Sequence, residues 1–142
     1  MKTRVIFNRF IPFKGFVAMC FWPFIFVRKE AMRRYGVYTD NHESIHAEQQ
    51  KEMLAVGVSL AVIGFLIGFG LWSLLFFPLF FWWYGIEWLF RVFQYRNGHV
   101  AYKNISFERE AYGMEYSLGY LSERRHFAWL SYLRMGRHNV PA

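Results

Sequence analysis

The stretch Met53–Phe90, MLAVGVSLAVIGFLIGFGLWSLLFFPLFFWWYGIEWLF, decides the architecture of this chain. Its 38 residues hold one charge, Glu87, and no Lys or Arg lies between Lys51 and Arg91. So long an apolar run is a membrane signal rather than the core helix of a water-soluble domain. It is too long for one crossing and about right for two, with Gly68-Phe69-Gly70 as the turn. As helices, 52–69 rise about 27 Å and 71–91 about 31 Å, each matching a hydrocarbon core. Pro78 kinks the second arm, which a membrane helix tolerates. Trp72 and Trp88 fall where the two interfaces lie. All 17 Lys and Arg lie outside 52–90. The positive-inside rule therefore places both chain ends in the cytoplasm and the turn on the far side of an inner or plasma membrane. A hairpin also returns the chain to the side it left, so residues before 52 and after 91 share one membrane face.

The rest of the composition fits. The chain has 142 residues, enough for one domain with a real core. Apolar residues make up 55% and aromatic residues 23%, with 17 Phe, 9 Tyr and 6 Trp, far more than a soluble domain needs. Cys20 is the single cysteine, which excludes an internal disulfide and a thiolate zinc cage. Any metal must use His and carboxylate. The formal charge is +7, but the basic residues flank the apolar run, where anionic lipid is a simpler partner than nucleic acid. Neither a Gly-rich phosphate loop nor a serine nucleophile elbow is present.

Just upstream stands His42-Glu43-Ser44-Ile45-His46, an HExxH string preceded by the helix-capping types Thr39, Asp40 and Asn41. On a helix His42 and His46 share a face and can reach one ion. Glu43 then sits where a carboxylate can take a proton from metal-bound water, the zinc-peptidase arrangement. The register runs through Gln49, Gln50 and Glu52 into the first arm, which places a metal one or two turns from the membrane surface. A catalytic zinc needs a third protein ligand and an open position. The candidates beyond the arms are Glu108, Glu110, Glu115, His99, His126 and His138. In the segment 106–121, read as a helix with Ser106 as its cap, Glu108, Tyr112 and Glu115 share one face and Glu110 points away. This favours Glu108, with Glu110 or a His as the alternatives. It also puts Tyr112 near the metal as a hydrogen-bond donor to a developing oxyanion.

The remaining segments read more plainly. Residues 3–28 are β-branched and aromatic, punctuated by Pro12, Gly15 and Pro23. They predict two or three short strands, including Lys14–Cys20 and Phe24–Arg28. Residues 29–38 form a charged connector. Asn97-Gly98 marks a turn. Ser122–Met135 predicts a basic, aromatic helix lying on the membrane surface. Glu87 and Arg91, spaced i,i+4, predict a structural ion pair.

Taken together, the strand before the motif, the HExxH helix and a downstream helix carrying Glu108 resemble the gluzincin branch of the zincin metallopeptidases. Membrane gluzincins of the CAAX-protease and antibiotic-sensor kind also join HExxH to neighbouring spans. There a Glu-x-x-x-Asp motif supplies the third ligand, its Asp supporting a ligand His; here Tyr112 holds the Asp place. The chain is also similar to small membrane proteins with HExxH, an apolar hairpin and a FEREAY-like segment, a likeness that implies architecture but no substrate. The zincin resemblance implies that an edge strand, here Phe24–Val27, pairs with an extended substrate.

The sequence thus predicts a single α+β membrane domain over 1–142. Short N-terminal strands and the start of the HExxH helix occupy 1–51. A two-helix transmembrane hairpin occupies 52–91, and a helical part with the third ligand occupies 92–142. The predicted function is a membrane-bound zinc metallopeptidase. His42, His46 and Glu108 hold Zn, Glu43 is the general base, Tyr112 assists, and the substrate is a peptide or protein segment near the bilayer. Two other readings compete. A membrane di-iron carboxylate oxidoreductase would use the ExxH strings at Glu43–His46 and Glu123–His126. A non-enzymatic membrane adaptor would carry HExxH incidentally. Oligomeric state is left open.

Overall fold

The computed structural model describes residues 3–134, so His138 and the end of the Ser122–Met135 segment lie outside the described residues. The domain is α+β: a small three-stranded sheet and a larger body of helices. Strands β1 (Arg4–Asn8), β2 (Ala18–Phe21) and β3 (Phe24–Arg28) order as β1-β3-β2. β3 is central. It pairs in parallel with β1, Ile6 opposite Phe26, and antiparallel with β2, Cys20 opposite Ile25. The tight connection through Trp22-Pro23 makes β2 and β3 a hairpin. The period-2 pattern sorts the two faces. Ala18, Cys20, Ile25 and Val27 turn inward and pack with Ala47, while Met19, Phe21, Phe24 and Phe26 stand on the other face. The expected strand Lys14–Cys20 is displaced to Ala18–Phe21, because Gly15, at φ +104°, turns the chain just before it.

A 3-10 turn (Lys29–Arg34) leads into α1 (Val37–Gly64). This helix starts at Val37, earlier than the capping residues predict. Its cap is Gly36, and no side chain caps it. Asn41 is used elsewhere: its amide donates to the Met114 and Glu115 carbonyls, tying α1 to a segment 73 and 74 residues downstream. Tyr35 donates to Asp40. As expected, α1 runs without interruption from the motif into the apolar region.

The helix changes character along its length. Asn41–Met53 is buried on most sides, whereas beyond Met53 only Gly57, Ala61 and Gly64 are buried. Those three lie on one stripe, and the large residues around them, such as Val62, Ile63 and Leu66, are exposed. A π-turn (Phe65–Phe69) and a 3-10 segment (Gly70–Phe76) follow, reversing at Gly68 (φ +98°) and Gly70 (φ +54°). The chain then runs back along α1 and enters α2 (Leu79–Tyr95) just past Pro78. The arms touch closely. A Cβ on Gly57 would stand 2.3 Å from the Phe76 carbonyl oxygen, and one on Gly64 would stand 3.0 Å from Ser73 Oγ.

The sequence predicts two crossing helices. Among the described residues one helical run, Val37–Phe76, is long and apolar enough to cross a membrane. The division at 52–69 and 71–91 is therefore corrected. The returning arm is split at Phe77-Pro78 into a 3-10 segment and a 17-residue helix, because proline supplies no N–H and fixes its own φ.

Past α2, Arg96 adopts a left-handed conformation and Asn97 caps α3 (Gly98–Lys103) through bonds from His99 N and Val100 N. α4 (Ser106–Met114) and α5 (Tyr120–Glu123) follow, then a 3-10 turn (Ala128–Arg134). The predicted helix 106–121 is thus broken, and Ser106 is not its cap. Instead Ser106 donates from N (2.9 Å) and Oγ (2.6 Å) to Glu87. Glu87 also accepts from Arg91 (3.3 Å) and Trp83 (3.1 Å), so the predicted ion pair exists and additionally seats a carboxylate at the start of α4.

The predicted surface helix Ser122–Met135 is also corrected. Trp129 is buried with Met53, Phe80, Ile105 and Phe107 in a second core. The Arg124 side chain is only 4% exposed and grips Glu52 of α1 and Glu110 of α4. Two buried carboxylates drew this segment inward, because buried charges require partners.

Candidate metal centre

α1 presents His42 and His46 one turn apart, and α4 presents Glu108 against them. All three are buried, and their ligand atoms lie within 4.8 Å of one another. The two Nε2 atoms are 3.2 Å apart. Glu108 Oε1 is 3.3 Å from His46 Nε2, and Oε2 is 3.5 Å from His42 Nε2. Three ligands at about 2.05 Å from a tetrahedral ion stand about 3.3 Å from each other. These separations are compatible with that spacing.

Protons at the site follow from the neighbours. Gln49 Nε2 donates to two acceptors, the Phe107 carbonyl (3.1 Å) and Glu110 Oε2 (3.0 Å), which fixes which end of this amide is which. Its Oε1 therefore faces His46 Nδ1, at 2.8 Å, and His46 must donate from that nitrogen. Glu115 Oε2 lies 3.0 Å from His42 Nδ1 and fixes the second imidazole in the same way. Both Nε2 atoms then face each other and the Glu108 carboxylate, and a proton or a metal ion lies between them. Glu108 Oε2 receives no hydrogen bond among the described residues. Converging acceptors of this kind are unfavourable unless a proton or a metal cation joins them. This is a buried group that could hold a metal ion.

The supports continue outward. Tyr84 of α2 donates to Glu108 Oε1 at 2.7 Å. Glu110 accepts from Arg124 and from Tyr120 (2.9 Å). It also accepts from Gln49, which separates its role from that of Glu108. Burial pushes the Glu108 carboxyl up, but the His46 and His42 imidazoles outweigh this and hold it well below the usual carboxylate range. Burial, then the Glu108 charge, push the Tyr112 phenol up to about 12 and Tyr102 higher still, so both stay protonated at neutral pH.

The sequence-predicted residues divide cleanly. His42, His46 and Glu108 come together, and Glu43 joins them as a lining residue of a cavity of about 290 Å³. Tyr112 does not line that cavity. Its ring packs edge-on against His42, centroids 4.6 Å apart, and its hydroxyl is hydrogen-bonded to Tyr102. Tyr102 and Tyr84 line the cavity instead. His99 stacks on Tyr102, and the His126 side chain is 93% exposed, so neither joins the ligands. Sequence reasoning missed Gln49, Tyr84 and the supporting role of Glu115. The one available signal was that Gln49 and Glu115 share helix faces with His46 and Glu108 respectively.

The strand beside the cavity also differs from expectation. Phe24–Val27 lies within β3, flanked on both sides, and cannot accept a further strand. β2 is the edge strand, and its Ala18, Met19 and Cys20 line the cavity. Part of its edge is already taken. Gln50 of α1 accepts from Trp22 N (2.8 Å) and donates to Cys20 O (2.9 Å).

No family model matches this chain, and neither a curated protein nor a solved structure shows significant similarity to it.

Proposed function

We propose that this chain is a membrane-bound zinc metallopeptidase of gluzincin-like design. The observation that carries the reading is the convergence of two imidazole nitrogens and a carboxylate at metal-ligand spacing, with Glu43 lining the same cavity. His42, His46 and Glu108 would hold the ion at the cavity that all three line. Bound zinc lowers the pKa of its water and polarises a carbonyl. Glu43, lining the cavity beside the ligands, would take a proton from water and return it to the leaving amine. Tyr102, a protonated hydroxyl in the cavity wall, replaces Tyr112 as the donor nearest a developing oxyanion, while Tyr84 spends its proton on Glu108. An extended peptide beside Ala18 of β2 would meet the ligands along its length. Nitrogen and carboxylate donors without thiolate suit zinc, and the identity of the metal belongs to this proposal.

The arms support membrane insertion. Small residues face inward, large apolar residues face out, and no charge stands on the outer surface of 53–86. His46 precedes Gly68 by 22 residues, about 33 Å of helix. If the turn marks one side of a hydrocarbon core about 30 Å thick, the metal site lies at the opposite interface. The basic flanks favour the cytoplasm of an inner or plasma membrane for that side and for both chain ends.

The di-iron alternative is weaker. Among the described residues one metal-ligating group is found, Glu87 is committed to Ser106 and Arg91, and His126 faces solvent. An adaptor leaves the paired imidazoles without purpose. Elemental mass spectrometry of detergent-purified protein, beside His46→Ala, decides among these. The proposal expects about one zinc per chain, lost in the variant. Two irons per chain would promote the oxidoreductase, and absence of metal in both samples would leave the adaptor.

A further inference from the structure

The cavity above the ligands is polar at its floor and apolar in its walls. Pro12, Phe13, Phe16, Met19, Phe80 and Phe81 supply those walls. Four of them are also strongly exposed: Phe13 at 79%, Phe16 at 44%, Phe81 at 43% and Met19 at 36%. They therefore form the mouth, and all four are apolar. Water is a poor solvent for such a rim.

The rim is continuous with the surface of the arms. Phe21, on the outer face of the sheet, stacks on Phe81 of α2 with ring centroids 5.3 Å apart. Phe81, Ile86, Leu89 and Phe90 carry that exposed apolar surface along α2. Across the sheet, Ile6, Phe26 and Met19 are cross-strand neighbours by register, so the apolar face extends through all three strands. Arg4, Arg9 and Lys14 stand exposed among these aromatics. Cations beside exposed aromatics are the composition of an element seated at an anionic lipid interface.

We propose that the metal cavity opens onto the lipid, and that its substrate is a chain segment already held in the membrane; the substrate half rests on the peptidase reading. The loop 9–17 is a lip dipping into the acyl boundary, and the sheet's outer face lies on the bilayer. A peptide whose apolar part sits in lipid reaches the ligands by sliding under Phe13 and Phe16 without leaving the membrane. A soluble peptide has to cross an aromatic rim buried in lipid.

Two readouts separate the two halves. The first needs no activity. In a Cys20→Ser background, a nitroxide is placed at Phe13→Cys, with Leu66→Cys as a lipid control and Glu123→Cys as an aqueous control. The protein is reconstituted in vesicles of mixed phosphatidylcholine and phosphatidylglycerol. The label at 13 should match Leu66 in favouring oxygen over a water-soluble nickel relaxant. Behaviour like Glu123 overturns the lipid-facing mouth. The second compares cleavage of a peptide fused to a membrane-spanning segment with the same peptide lacking it. The anchored form should be cut at least about tenfold faster by wild type, and by neither route in Glu43→Gln. Equal rates overturn the substrate assignment. No cleavage of either peptide, with the label at 13 in lipid, overturns the peptidase reading and its substrate while the lipid-facing mouth stands.

Discussion

Replacing Gln49 by Leu tests how the metal site is set. Leucine nearly matches glutamine in volume, so the substitution leaves no large cavity between α1 and α4. It removes the acceptor opposite His46 Nδ1, which now stands 2.8 Å from Gln49 Oε1. The imidazole then loses the partner that keeps its Nε2 aimed at the ligands. Losing such a partner typically costs 10–100-fold in metal affinity, about 1.4–2.7 kcal/mol. The Phe107 carbonyl and Glu110 also lose a donor. Glu110 keeps Arg124 and Tyr120, whereas the buried carbonyl is left bare, an additional cost to folding of about 1–3 kcal/mol. Gln50→Leu is the matched control. It breaks two bonds to the sheet, at Trp22 and Cys20, without touching His46. The assay is zinc competition against a chromophoric chelator in detergent at neutral pH, with thermal unfolding of the metal-free forms alongside. Gln49→Leu should lose at least about tenfold in zinc affinity, and Gln50→Leu should lose stability with little change in affinity. Equal zinc affinities for wild type and Gln49→Leu would refute the argument that this amide orients the ligand.

Other outcomes follow from the same geometry. Glu43→Gln should retain zinc by elemental analysis and lose hydrolysis of any peptide the wild type cleaves; residual full activity removes Glu43 as the base. Tyr84→Phe deletes the 2.7 Å donor to Glu108 and should weaken zinc binding by about tenfold in the same competition. Arg124→Met leaves Glu52 and Glu110 buried without their cation and should lower the unfolding free energy by about 3–5 kcal/mol, measured by denaturant titration. Zinc should be released as pH falls, because protons compete for the His42 and His46 nitrogens. Glu108, held below the usual carboxylate range, contributes its stabilisation above its ordinary value of 4.5 and loses it only as pH falls toward the lowered one, so release should follow imidazole protonation. Gly57→Ala drives a Cβ to 2.3 Å from the Phe76 carbonyl and should separate the arms, read as a lower melting temperature.

What the sequence disclosed was local. The i,i+4 spacing of His42 and His46, the continuity of the motif helix with the apolar run, and the common face of Glu108 and Glu115 are helix geometry, and they appear as expected. The strand Phe24–Arg28 was legible from its composition, but its central place was not, because β1 joins it from the far side of β2 in sequence. The surface reading of Arg124 failed because its partner Glu52 lies 72 residues away. Ser106 looked like a cap, yet Glu87, 19 residues upstream, took its hydroxyl. Tyr112 shares a face with Glu108, but three tyrosines compete for one corner, and packing put Tyr102 and Tyr84 at the cavity wall.

Gln49 and Gln50 are consecutive, so their side chains leave α1 about 100° apart. One sets an imidazole, and the other takes the place of a strand at the edge of the sheet. The sheet and the ligands are therefore both referenced to a single turn of helix, as two instruments are bolted to one bracket. Bending or tilting of the arms beyond Gly57, such as a change in bilayer thickness imposes, can pass without altering the distance from strand β2 to the histidines. The same bracket seals two backbone groups of an otherwise open strand, which denies a second copy of the sheet that foothold for pairing edge to edge.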